Sequence, residues 1–231
     1  MMPRFVTELF SRHRWWCLVL IALLLGGLWY GCYGRNNSWA IANVSAPSGA
    51  TWAVPVVVLG DSLTAGVGAS EPEFMYVSRL ETTLGCKVVN AGVSGDTTRS
   101  ALGRLESVLK EHPRVLVLLL GGNDMLTRIP LEETMSNLER MIVAFQGEGA
   151  MVVLVGIQPP YVGGKYGRAF RALARRRGCV YVPHILKGIM GTPSLMSDQI
   201  HPNDAGYGLV AERIDSTAGV WIRRALASGK K

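Results

Sequence analysis

Five short apolar runs constrain this chain more than any other feature: Val54–Leu59, Lys87–Asn90, Val115–Leu120, Met151–Val155 and Cys179–Val182. They are rich in β-branched residues and show no polar alternation. Strands that are apolar on both faces cannot leave one face in water, so they belong in a parallel sheet covered on both sides. Between the runs, the apolar spacing turns helical. Leu131, Met135, Leu138, Ile142 and Phe145 form one stripe, and Tyr207, Val210, Ile214, Ala218, Trp221 and Ala225 form another. Shorter stripes fall at Phe74, Val77, Leu80 and Leu84, at Leu102, Leu105 and Leu109, and in the basic stretch Tyr166–Arg177. Stripes at this spacing are core faces. Alternating β and α units predict the α/β class. The expected architecture is a three-layer α/β/α domain, flavodoxin-like, with a parallel five-stranded sheet in the order 2-1-3-4-5.

This domain is expected over residues 54–231. Hydrophobic residues make up 48% of the chain and charged residues only 18%, which argues against disorder in its bulk. Residues 15–33 carry no charge and are long enough to cross a bilayer as a helix. Arg4, Arg12 and Arg14 precede them, and only Arg35 follows closely, which predicts a cytoplasmic N-terminus and an exported domain. Residues 1–35 are therefore expected to be a membrane anchor or a signal segment. Ala40-Ile41-Ala42 offers a cleavage-like site for the second reading. Residues 36–53 are rich in Gly, Ser, Asn and Ala, and are expected to be a linker. The net charge of +7 comes with basic clusters such as Arg175-Arg176-Arg177 but with no nucleic-acid motif. The expected partners are thus a small-molecule or lipid ester and, through the N-terminal helix, a membrane, with no nucleic acid. No cysteine pair has metal-ligand spacing. Cys86 and Cys179 open strands at opposite sheet edges and are expected to be free, buried thiols.

In such sheets, ligands bind at the carboxyl ends of the strands. Strand 1 runs into Gly60-Asp61-Ser62-Leu63, and strand 2 into Asn90-Ala91-Gly92-Val93-Ser94-Gly95-Asp96-Thr97-Thr98. Strand 3 runs into Gly121-Gly122-Asn123-Asp124, and Asp198-Gln199-Ile200-His201-Pro202-Asn203 precedes the last helix. A serine exposed at a strand-to-helix turn is a candidate nucleophile, and a helix N-terminus beside it favours developing negative charge. Serine needs a base, and Asp198 and His201 are spaced so that a carboxylate can orient an imidazole. Asn123 can supply a neutral donor to an oxyanion. Structural readings stay open for each loop taken singly. Asp61 or Ser62 can cap a helix, the glycines can serve a tight turn, and His201 can be a satisfied structural histidine. His184 follows strand 5 but has no acid at comparable spacing.

Taken together, these four segments resemble the GDSL/SGNH hydrolase family over roughly residues 54–227. The resemblance implies the SGNH hydrolase fold, with Ser62 as nucleophile and Asp198 and His201 completing the triad. It implies an oxyanion hole formed by the backbone N–H groups of Ser62 and Gly95 and the side chain of Asn123, and no metal or organic cofactor. The loops look most similar to the thioesterase I/protease I/lysophospholipase L1 and arylesterase branch. The stretch Ile157–Phe170 is similar to that branch's mobile loop after strand 4, which makes Tyr161 and Tyr166 candidate substrate contacts, with Asp61 a third. The implied activity is a serine esterase acting on carboxylic esters or thioesters of lipid-like or aryl type. A carbohydrate O-acetylesterase acting on envelope glycans, an acyltransferase and a membrane-tethered non-catalytic module are the alternatives.

Overall fold

The computed structural model describes residues 54–158 and 164–228. The expected membrane segment, the linker and Tyr161 lie outside the described residues. Among the described residues, no helix is long and apolar enough to cross a membrane.

Five parallel strands form the sheet: β1 (Val54–Gly60), β2 (Val88–Gly92), β3 (Pro113–Leu119), β4 (Met151–Val155) and β5 (Val180–Val182). Their order is β2-β1-β3-β4-β5, as the sequence predicts. Every residue of β3, β4 and β5 is buried, which is why these runs show no alternation. The strand bounds shift by up to two residues from those expected; β2 runs on through Gly92 and β3 starts at Pro113.

The helices are α1 (Ser62–Ala65), α2 (Tyr76–Leu84), α3 (Thr98–Gly103), α4 (Leu105–Leu109), α5 (Gly122–Leu126), α6 (Leu131–Gly147), α7 (Lys165–Arg177), α8 (Asp204–Ile214) and α9 (Val220–Ser228). Packing of α2 against α8 makes one layer, and packing of α3 and α7 against α6 makes the other. The single helix expected around Leu102–Leu109 is two helices, broken at Arg104. The last stripe is also interrupted. A wide π turn, Asp215–Gly219, joins α8 to α9. It turns the buried face to Ile222, which is 0% exposed, and leaves Trp221 half-buried.

Cys179 is buried and free, as expected, and burial pushes its thiol up to about 12. Cys86 is free but only half-buried, two residues before the start of β2.

The chain steps from β1 outward to β2, then crosses back to place β3 on the other side of β1. That reversal opens a crevice between the loops after β1 and β3, the usual ligand position in an open α/β sheet.

Candidate active site

Two of the predicted loops meet at that crevice. His201 Nε2 lies 3.0 Å from Ser62 Oγ, although 139 residues separate the two in sequence. On the other side of the ring, His201 Nδ1 lies 2.7 Å from Asp198 Oδ2. A ring N–H donated to the carboxylate fixes the tautomer, and Nε2 is left as acceptor for the serine hydroxyl.

Local chemistry builds each arm. Gly60 ends β1 where a Cβ would meet Thr64 Oγ1 and stand 2.7 Å from the Leu119 carbonyl oxygen, so the strand can turn sharply only with glycine there. Asp61 follows and caps α1, its Oδ1 accepting from the Leu63 N–H at 3.0 Å. The helix N-terminus expected beside Ser62 is a single four-residue turn. Too few peptide dipoles align in it to act as a macrodipole, so stabilisation of charge there falls to individual N–H groups. Asp198 closes its own turn, with Oδ1 accepting from the N–H groups of Ile200 and His201 at 2.8 Å each, and Oδ2 is left for the ring. Asn203 then caps α8 by accepting from the Gly206 N–H.

Asn123, in the first turn of α5, donates from Nδ2 to the Asp96 carbonyl oxygen at 2.8 Å. One of its two amide hydrogens remains for a ligand. Gly95 sits beside Asp96 with φ 85°, a left-handed turn that glycine adopts without strain.

Electrostatics separate the two acids next to the serine and histidine. Asp198 is half-exposed, yet its hydrogen bond from His201 and those from two backbone N–H groups hold it at about 2. It therefore stays ionised at neutral pH. Asp61 is 3% exposed, and burial pushes it up to about 6, partly offset by its bond to Leu63 and by attraction to His201.

The crevice is an open cleft of about 230 Å³. Its walls are Leu63, Met125, Leu126, Ile157, Leu186, Met190 and Ile200, and its polar members are Asp61, Ser62, Asn123 and His201. Tyr166 does not line it. That residue is buried in the first turn of α7, which starts where the sequence suggested a mobile loop. Its ring packs inward because the helical stripe claims it for the core. His184 adopts φ 48° after β5 and stands outside the cleft lining.

Several supporting residues escaped sequence reasoning. Asp124, fully buried, accepts from the Thr98 N–H at 2.8 Å and from the hydroxyls of Thr98 and Thr134. It locks the Asn123 loop onto α3 and α6. The acid next to Asn123 was in view as part of a motif, but its partners are 10 and 26 residues away. Among the described residues, no group of three or more His, Cys, Asp or Glu side chains is placed to hold a metal ion.

Residues 58–209 match the sequence profile of the GDSL-like lipase/acylhydrolase family. The esterase TesA of Pseudomonas aeruginosa is 35% identical over 171 residues, covering 69% of this chain and 85% of that protein. The thioesterase 1/protease 1/lysophospholipase L1 of Escherichia coli K12 is 32% identical over 168 residues, covering 68% of this chain and 79% of that protein. The crystal structure of TesA superposes with a TM-score of 0.67 at 35% identity, covering 71% of this chain and 97% of that one.

Proposed function

Because this chain belongs to the GDSL-like lipase/acylhydrolase family and is a serine esterase of the GDSL type, we propose that Ser62 is its nucleophile, His201 its general base and Asp198 the carboxylate that orients the base. His201 Nε2 takes the hydroxyl proton as Ser62 Oγ attacks the ester carbonyl carbon. The resulting oxyanion is met by the N–H groups of Ser62 and Gly95 and by the free amide hydrogen of Asn123. The imidazolium then protonates the leaving alcohol or thiol, and the acyl group stays on Ser62. Water, deprotonated by the same ring, releases the acid. General-base assistance is worth about 10²–10⁴-fold and an oxyanion donor about 10²–10³-fold. The observation that carries this reading is the relay of 2.7 Å and 3.0 Å contacts from Asp198 through His201 to Ser62.

The substrate we propose is an ester or thioester with an apolar acyl or aryl group. Seven apolar side chains wall the cleft, and they exclude water from such a group without offering a sugar the hydrogen bonds it needs. Glycan deacetylation is the less supported reading for that reason. The uncharged segment 15–33, with three arginines before it, supports an exported domain tethered to the membrane.

The test is hydrolysis of p-nitrophenyl esters from acetyl to palmitoyl by the purified full chain, with Ser62→Ala beside it. Turnover that extends past the shortest chains and falls by about 10⁴-fold or more in Ser62→Ala is expected. Acetyl-only turnover would move the substrate to envelope acetyl esters. A folded Ser62→Ala variant that kept most of its activity would remove Ser62 from the mechanism.

A further inference from the structure

Arg104 stands at the break between α3 and α4, outside the triad and the oxyanion donors. Its guanidinium nonetheless reaches the Ser62 loop and the Gly95 turn directly, and the Asn123 loop through Asp96. Nε donates to Asp96 Oδ2 at 2.7 Å, and Nη2 lies 2.6 Å from the same oxygen. Nη2 also donates to the Ala91 carbonyl oxygen at 2.9 Å and, more weakly, to that of Gly60 at 3.4 Å. Gly60 is two residues before Ser62, and Ala91 lies in β2 before the Gly95 turn. Asp96 follows Gly95, and its backbone oxygen receives the Asn123 amide at 2.8 Å. Ser100 Oγ donates to the remaining Asp96 oxygen, Oδ1, at 2.8 Å. The side chains of Arg104 and Asp96 are only 24% and 8% exposed, so solvent screens this pair weakly.

We propose that Arg104 is a positioning residue that holds the three oxyanion donors in register, tying the Ser62 loop to the Gly95 turn and, through Asp96, to Asn123. The inference rests on the esterase mechanism above. A planar guanidinium with donors in a fixed fork can bridge a carboxylate and two carbonyls at once. Lysine offers the same charge from one point and cannot span those acceptors. An oxyanion hole works only while its donors stay within a few tenths of an ångström of where the charge develops, and a misplacement of about 1 Å costs on the order of 10²-fold in rate. The sequence contains no hint of this role, because the arginine binds acceptors from residues 8, 13 and 44 positions away.

The experiment compares the parent, Arg104→Lys, Asn123→Ala and the double variant, all as full chains of confirmed fold. It measures kcat and KM on p-nitrophenyl butyrate and the affinity for a trifluoromethyl ketone of matching chain, whose tetrahedral hemiketal with Ser62 Oγ mimics the oxyanion. Arg104→Lys is expected to lower kcat by about 10- to 100-fold with KM within about 3-fold. Its ketone affinity should fall in parallel with kcat/KM. The double variant should be within about 3-fold of the worse single variant, since both changes disable one unit. A kcat for Arg104→Lys within about 3-fold of the parent, or two losses that multiply, would overturn the proposal. Should Arg104→Lys fail to fold, Asp96→Asn carries the same test, since it keeps the carbonyl that Asn123 uses and weakens the carboxylate's hold on Arg104, with Ser100→Ala as the control for the bond to its other oxygen. A parent with no esterase activity would instead count against the mechanism itself.

Discussion

The acid beside Ser62 is kept at a cost in stability. Asp61 is nearly inaccessible, and burial raises it from 3.8 to about 6. The folded chain therefore holds that proton more tightly than the unfolded chain does. Its contribution to stability is complete below about pH 4 and is lost as the pH rises through about 6. Above that range, the buried charge costs at most about 3 kcal/mol. Asn in its place keeps the oxygen that caps α1 and drops the charge. Thermal unfolding of Asp61→Asn should match the parent near pH 4 and exceed it increasingly up to about pH 7. A parent more stable than the variant at pH 7–8 would mean that the ionised carboxylate has a favourable partner that outweighs burial. At this scale the sequence was most informative. Asp198, Ile200 and His201 close their turn within four residues, and Gly60 to Ser62 are adjacent, so local spacing carried the information. The roles of Arg104, Asp124, Thr98 and Thr134 depend on distances that only tertiary folding creates. Tyr166 carries two readings in the sequence, the start of a helical stripe and a contact in a substrate loop, and its burial in α7 fits the first.

Among the secondary-structure elements, the strands were legible and the helix breaks were not. Continuous apolar runs read as strands of a parallel sheet, and all five form one, two of them at its edges, while the strand order was an expectation that periodicity does not carry. The π turn Asp215–Gly219 has no comparable signature. A regular α-helix through Tyr207 and Ala218 would bring Trp221 onto the buried face, and that is what spacing alone predicts. The wider turn delays the register by part of a residue step, so Ile222 takes the core position and Trp221 stacks beneath the Arg224 guanidinium, 5.6 Å from its ring centroid. Ile222→Ala should therefore cost about 2–5 kcal/mol in denaturant unfolding, the ordinary penalty for a buried cavity. Trp221→Ala should cost less, despite removing the larger side chain. The reverse ranking would restore the uninterrupted helix.

For the whole molecule, the sheet order explains how four weak signals became one site. The reversal between β1 and β3 puts Ser62 and Asn123 at neighbouring strand ends, and the last loop before α8 brings His201 onto the same end. Each loop alone admits a structural explanation; the convergence of three of them in one cleft with an apolar wall, with the Gly95 turn tied to it through Asn123, points to a site. Arg114 secures the opposite end, donating from the start of β3 to the Ala225 and Gly149 carbonyls, so the two ends of the domain divide between stability and chemistry. The central claim is that Ser62 alone is raised to a nucleophile by this arrangement. Its most direct test is to treat the full chain with a fluorophosphonate and map the modified residue by peptide mass spectrometry. One adduct is expected, on Ser62, forming in the parent, absent in Ser62→Ala and far slower in His201→Ala. An adduct on another residue, or ester turnover that survives complete modification of Ser62, would contradict it.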